Sequence, residues 1–203
     1  MYRMKMPLVL ASGSPRRREL LGLVGIRFEI RPSQIEESEF NGGDPLLTAR
    51  SHARKKAEAV AKREGDGADR WYLGVDTIVI LEGEVMGKPA DRDQAREFLK
   101  KLAGRQHRVI TAYCLLRPQG RERVEKAVSS RVKIRALAPT EIEAYLDTDE
   151  PYDKAGAYAA QGIGASLVEA IEGSYTNVVG LPLAELTMDL LRLGIIEPKA
   201  GHG

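Results

Sequence analysis

Hydrophobic and polar positions follow two periods along the chain: short unbroken apolar runs, as in buried strands, and apolar stripes recurring every three or four residues, as in helices. Residues 8–12, "LVLAS", predict a short buried strand. Ser14 then suits an N-cap and Pro15 the first helical position. A helix is predicted from Arg16 to about Leu23, with Leu20, Leu21 and Leu23 available for packing. "FEIR", 28–31, predicts a second short strand leading into the acidic stretch 34–39. From Pro45 to Glu64, alanine and leucine recur at helical spacing with basic residues outside that stripe, which predicts an amphipathic helix stopped by Gly65.

The run "YLGVDTIVIL", 72–81, is the most strand-like in the chain. Glu82-Gly83-Glu84 predicts a hairpin turn, with "VMGKP" returning. A helix follows from Asp91 to Ala103, with its stop at Gly104. Two longer strands, 107–117 and 123–137, flank a Pro118-Gln119-Gly120 turn. Thr140 and Glu143 have the spacing of a capping box ahead of a helix that holds Ile142 and Leu146. The glycine-rich 156–164 leads to a strand near 165–171, and Leu183–Leu193 closes the chain as a helix. No repeat, linker or domain boundary interrupts the order, so one domain over residues 1–203 is expected, of α/β class with a mixed sheet and flanking helices.

Composition narrows the function classes. Of 203 residues, 43% are hydrophobic and 30% charged, the balance of an ordinary globular protein. Lys and Arg number 31 against 29 Asp and Glu, a net +2, and the two signs are interleaved. That pattern argues against a nucleic-acid or membrane-surface partner bound through a basic block, and leaves a small local anion as the expected ligand. Cys114 is the only cysteine, which excludes an intrachain disulfide and a cysteine-built zinc site and fits a reducing cytoplasm. Arg3 and Lys5 precede an apolar patch of about five residues, short of the roughly 7 to 15 of a signal peptide. A soluble, cytoplasmic protein is expected.

Chemistry enters with Arg16, Arg17 and Arg18, placed at a helix start where the dipole and unpaired N–H groups disfavour cations. Two readings fit. One is a solvated helix end; the other is an anion cradle built from helix N–H groups, the Ser12 and Ser14 hydroxyls and a forked guanidinium. Position directly after a buried strand favours the cradle, because ligands of α/β sheets collect at strand carboxyl ends. The spaced glycines and Gly-Lys-Ser/Thr of a Walker A loop are absent.

Asp76 interrupts an apolar strand, where an ionised carboxylate is expensive unless paired or metal-bound. A structural cation is one explanation; a catalytic or metal-binding acid in a cleft is the favoured one. Thr77 points to the opposite face of a regular strand. Lys88, in "GKP", returns past the hairpin towards the same strand end. Glu36 and Glu37 are loop acids of the kind that is usually solvated, and Lys56 reads first as part of a solvated basic face. "DKAGAYAAQGIGA", 153–165, combines close-approach glycines with Gln161, suited to reading a base edge or to a tight loop. His52, His107 and His202 fall in a helix, at a strand start and in the tail, with no HExxH pair. What remains is acids, lysines and arginines, a set suited to metal-assisted attack of water on a phosphate ester or anhydride.

These residues carry a resemblance. "LASGSPRRRELL", "GVDTIVILEGEVMGKP" and "DKAGAYAAQGIGA" closely resemble the Maf family of nucleoside triphosphate pyrophosphatases, in order, over about Leu8 to Leu193. The resemblance implies two lobes around a deep cleft, a fold related to inosine triphosphate pyrophosphatases, and a homodimer. It implies hydrolysis of a nucleoside triphosphate to the monophosphate and pyrophosphate with a divalent metal, Mg²⁺ or Mn²⁺. Matched residue by residue, Ser14, Arg16 and Arg17 hold phosphates, and Asp76 is the acid that activates water. Arg17, Thr77 and Gln161 stand at positions linked with substrate choice. Glu37, Lys56 and Lys88 match other polar cleft positions, with Glu37 a metal contact beside Asp76. Ser-Pro-Arg-Arg, Asp-Thr and Gln161-Gly162 resemble the branch acting on dTTP and UTP rather than the branch preferring 7-methyl-GTP, which carries "SPWRR" and "SDQ". "AYAAQG" departs from relatives that often have a glycine and a branched residue before the glutamine. The rival from another class is a nucleotide-binding regulator of cell division with little turnover.

Overall fold

The structure is a computed structural model that describes residues 1–35, 43–65, 69–119 and 121–199. Its elements run β1 (Tyr2–Met4), β2 (Leu8–Leu10), α1 (Pro15–Leu23), β3 (Glu29–Ile30), α2 (Pro45–Glu64), β4 (Trp71–Leu81) and β5 (Glu84–Met86). They continue with α3 (Arg92–Leu102), β6 (Gln106–Arg117), β7 (Glu122–Ile134), α4 (Pro139–Leu146), β8 (Val168–Glu172), α5 (Tyr175–Val179), α6 (Leu183–Arg192) and β9 (Ile196–Pro198). The main sheet has the order β3-β2-β4-β6-β7-β8, with β5 paired to β4, and β1 pairs with β9 apart from it. Parallel pairs (β2 with β3 and β4) and antiparallel pairs (β4 with β5, β7 with β8) make the sheet mixed, as the order of elements predicts. The chain divides into two compact units: residues 1–76, 111–127 and 180–203, and residues 77–110 and 128–179.

In the first unit, β2 is buried at every position. A strand flanked on both edges by parallel neighbours needs crossover connections that cover its faces, here α1 and α2, and such strands lose the polar alternation. Asp44 caps α2 by accepting from the Leu46 N–H at 2.9 Å, and Gly65, at φ +75°, ends it. Ala49, Ala53 and Ala57 form the inner stripe of α2 and are fully buried. They meet β4 at Gly74, where a Cβ would stand 2.0 Å from the Ala53 carbonyl oxygen and 2.7 Å from the Ala57 nitrogen. Only glycine permits that approach. The buried Asp189 anchors α6 by accepting from the Tyr113 hydroxyl at 2.6 Å and pairing with Lys126 at 2.9 Å.

In the second unit, β4 turns into β5 through Glu82 (φ +50°) and Gly83 (φ +90°), the two positive φ values of a type I′ hairpin. Asp91 caps α3, and the core gathers Val79, Leu99, Leu102, Ile134, Leu146 and Tyr158. Arg92 and Arg96 tie α3 to Glu143 of α4.

Three expectations about the elements are corrected. Leu23 is 78% exposed rather than packed. The cap of α4 lies two residues earlier than Thr140 and Glu143 suggest: Pro139 opens the helix, and Glu141 accepts from the Ala138 N–H at 2.9 Å. Pro139 decides the phase, because its fixed φ and missing N–H suit the first helical position. Residues 163–167 are a tight 3-10 turn, so β8 begins only at Val168. Strands β1 and β9 form by pairing the two ends of the chain, a long-range event that no local pattern announces. Cys114 is buried in β6, and burial pushes its thiol up to about 12.

Candidate active site

The first unit holds a buried acid with two basic partners. Asp76, on β4, is 3% exposed. Two residues earlier on the same strand, and so on the same face, lies Gly74, where α2 makes its closest approach. His52 and Lys56 stand one turn apart on α2, the spacing that puts two side chains on one helix face. Both reach Asp76: Lys56 Nζ lies 2.6 Å from Oδ1, and His52 Nδ1 lies 3.3 Å from Oδ2. Burial raises the Asp76 pKa, but hydrogen bonding to His52 and the charge of Lys56 outweigh it and hold the carboxyl at about 2. The residue is therefore a carboxylate at neutral pH. The solvated-face reading of Lys56 is overturned, since the residue is only 7% exposed.

At the carboxyl end of β2, which runs parallel to β4 with Leu10 opposite Leu73, Arg17 donates from Nη1 to Ser12 Oγ at 2.8 Å and from Nε to the Gly180 carbonyl at 3.0 Å. Ser12 Oγ also accepts from the Ser14 N–H at 3.3 Å. One hydroxyl thus ties the β2–α1 turn to the guanidinium. Ser14 is the N-cap residue of α1, yet its side chain makes no capping bond. Arg16 is half-buried and Arg18 exposed. The charge of Arg17 also acts on Asp76, adding to the pull that lowers its pKa.

Thr77, Lys88 and Gln161 belong to the second unit. Thr77 is half-buried, Lys88 is exposed just beyond β5, and Gln161 is exposed in the glycine-rich loop. Glu37, like Glu36, lies outside the described residues. The structure therefore brings Lys56 onto Asp76 and sets Arg17 and Ser14 about Ser12. His52 is the residue that sequence reading passes over. Its signal was present, four positions before Lys56 on one helix face, but it becomes informative only once α2 is known to lie on β4.

A divalent cation fits the donor set at Asp76 in part. Mg²⁺ and Mn²⁺ take hard oxygen ligands, often one or two carboxylates completed by substrate phosphates and water. A carboxylate has about four lone-pair sites, so Asp76 can accept from Lys56 and His52 and still offer an oxygen. Among the described residues no group of three or more His, Cys, Asp or Glu is placed to hold a metal ion, so the other ligands would have to be phosphate, water or Glu37. No helix among the described residues is long and apolar enough to cross a membrane.

With strand, helix and acid in place, the comparison with known proteins is direct. Residues 7–193 match the family described as Maf-like protein, and the chain belongs to that family. A protein named dTTP/UTP pyrophosphatase from Geotalea uraniireducens is 46% identical over 197 residues, covering 97% of this chain and all of the relative. Another of that name, from Geobacter sulfurreducens, is 48% identical over 190 residues, covering 93% of this chain and 97% of its own. The solved Ham1 protein of Staphylococcus aureus aligns over 80% of this chain and 79% of its own at 15% identity and TM-score 0.46.

Proposed function

We propose that this protein is a nucleoside triphosphate pyrophosphatase that hydrolyses dTTP and UTP to the monophosphate and pyrophosphate. The observation that carries the reading is the ionised, buried Asp76 held by Lys56 and His52, in a chain nearly half identical to relatives named for that activity. Family resemblance adds one domain of two lobes about a shared cleft, working as a homodimer.

Residue roles follow from charge, from the geometry about Asp76 and from the family resemblance. Arg16, Arg17, Lys56 and Lys88 neutralise the triphosphate, which otherwise repels a nucleophile, while Ser14 and the α1 N–H groups donate hydrogen bonds to its oxygens. Asp76 orients a water and takes its proton. The water oxygen bonds to the α-phosphorus, the bond from that phosphorus to the α–β bridging oxygen breaks, and pyrophosphate leaves with the bridging oxygen. In the resting pair Asp76 is a weak base because Lys56 sits 2.6 Å away. Recruitment of Lys56 by phosphate oxygens loosens that pair and makes Asp76 more basic as substrate arrives. A divalent ion would be held by Asp76 and Glu37, where it would supply Lewis-acid polarisation of the phosphoryl oxygens. Thr77 and Gln161 select the pyrimidine edge.

The deciding test is pyrophosphate release from dTTP, UTP, CTP, GTP, ITP and 7-methyl-GTP, with and without Mg²⁺ or Mn²⁺. Metal-dependent release led by dTTP and UTP is expected. Release led by 7-methyl-GTP overturns the substrate assignment, and binding without release from any of them overturns the enzyme.

A further inference from the structure

The loop that carries Gln161 is pinned on both flanks by a single acid and the tyrosine it binds. Glu150 follows α4 in the second unit. Its Oε1 accepts from the Ile163 N–H at 3.0 Å. Its Oε2 accepts from the Gly164 N–H at 2.7 Å and from the Tyr145 hydroxyl at 2.7 Å. That hydroxyl in turn accepts from the Ala159 N–H at 3.2 Å. Gln161 therefore lies midway between two anchored residues, two positions from each. The fit leaves no slack at Gly162, where φ is +80° and a Cβ would stand 2.2 Å from Glu150 Oε1. Tyr145 is 4% exposed, and burial together with the Glu150 carboxylate pushes its pKa up, so the hydroxyl remains a donor.

A carboxylate that accepts two backbone N–H groups and a hydroxyl makes charge-assisted bonds, stronger than those between neutral partners. An ordinary loop needs no such clamp. A loop whose amide side chain must distinguish base edges does, because selection by hydrogen bonding requires donors and acceptors fixed to within about 0.5 Å. The geometry points to Glu150 as a positioning residue for substrate choice. It acts through the loop, not on the substrate, and the inference rests on the reading of Gln161 as a base-contacting residue.

The test measures kcat and KM for dTTP, UTP, CTP and GTP in the full-length wild type, Glu150→Gln, Tyr145→Phe and Gln161→Ala. Glu150→Gln replaces a charged acceptor with an amide that must turn an N–H₂ towards one of its donors. It is expected to lower the dTTP-over-CTP ratio of kcat/KM by about tenfold, equivalent to about 1.4 kcal/mol. The change should fall on KM, with kcat for dTTP within about threefold of wild type. Tyr145→Phe, which removes the bridging hydroxyl, is expected to shift the ratio the same way by a smaller factor, and it decides the matter if Glu150→Gln does not fold. A merely structural role lowers every nucleotide by the same factor and leaves the ratio unchanged; that result overturns the inference. If Gln161→Ala lowers the ratio and the two clamp variants do not, positioning fails while the reading of Gln161 stands. If the clamp variants lower it and Gln161→Ala does not, Gln161 is not the reader and Glu150 positions the loop backbone instead. If none lowers it, both fail.

Discussion

Asp76 shows how a buried charge is kept and used at the scale of one residue. Its carboxyl lies at about 2, whereas an unfolded aspartate titrates near 3.9. The folded chain thus releases the proton more readily than the unfolded chain, and the stabilisation is complete above about pH 4. It is lost as pH falls from about 4 towards about 2, because the proton then binds the unfolded chain first. Asp76→Asn removes this linkage, so its unfolding free energy, followed by denaturant titration between pH 2 and 5, should vary with pH less than wild type by roughly 2 to 3 kcal/mol. The same variant loses the base, and steady-state turnover of dTTP should fall by about 10²- to 10⁴-fold. More than a tenth of wild-type turnover would sink the base assignment. Arg17 makes a different point. Its guanidinium spans Ser12 Oγ and the Gly180 carbonyl at once, a fork that an ammonium cannot reproduce. Arg17→Lys should raise KM for dTTP by about tenfold through loss of a charge-assisted contact and its orientation. An unchanged KM would place the arginine outside the phosphate site.

At the scale of elements, α2 and β4 form the working pair. The helix lies against the strand because Gly74 has no side chain, and that closeness lets His52 and Lys56 reach Asp76. Gly74→Ala forces a methyl into the Ala53 carbonyl. It should cost roughly 1 to 3 kcal/mol by denaturant unfolding and, by moving the helix, reduce turnover about tenfold or more. Turnover that survives while stability falls would show that the site tolerates a shifted α2. The helix itself was legible: Pro45 and Gly65 bound it locally, and the alanine stripe names its inner face. Strand β4 was legible from its apolar run, and Asp76 stood out against it. The cap of α4 was misphased because Glu141 and Glu143 each stand three residues after a possible N-cap, Ala138 or Thr140, and only Pro139 discriminates between them. The roles of His52, Tyr145 and Glu150 could not be read from local pattern. Each depends on a partner between 5 and 24 residues away, and the partnership is set by packing.

At the scale of the whole molecule, β4, β6 and β7 each contribute residues to both compact units. A strand melted in one unit is covalently continuous with a strand of the other, so the two are expected to unfold together. Calorimetry should give one transition, with calorimetric and van't Hoff enthalpies that agree. Two resolved transitions would show that the units are independently stable. The unit boundary within β4 falls at the peptide bond between Asp76 and Thr77. Neighbours on a strand face opposite ways, so the acid proposed to activate water and the residue proposed to help choose the base share a backbone but not a side. On the proposed roles, a lineage can try new nucleotides by single substitutions at position 77 while the acid one residue earlier stays in place. In such an arrangement, diversification of diet need not begin with the loss of the ability to digest.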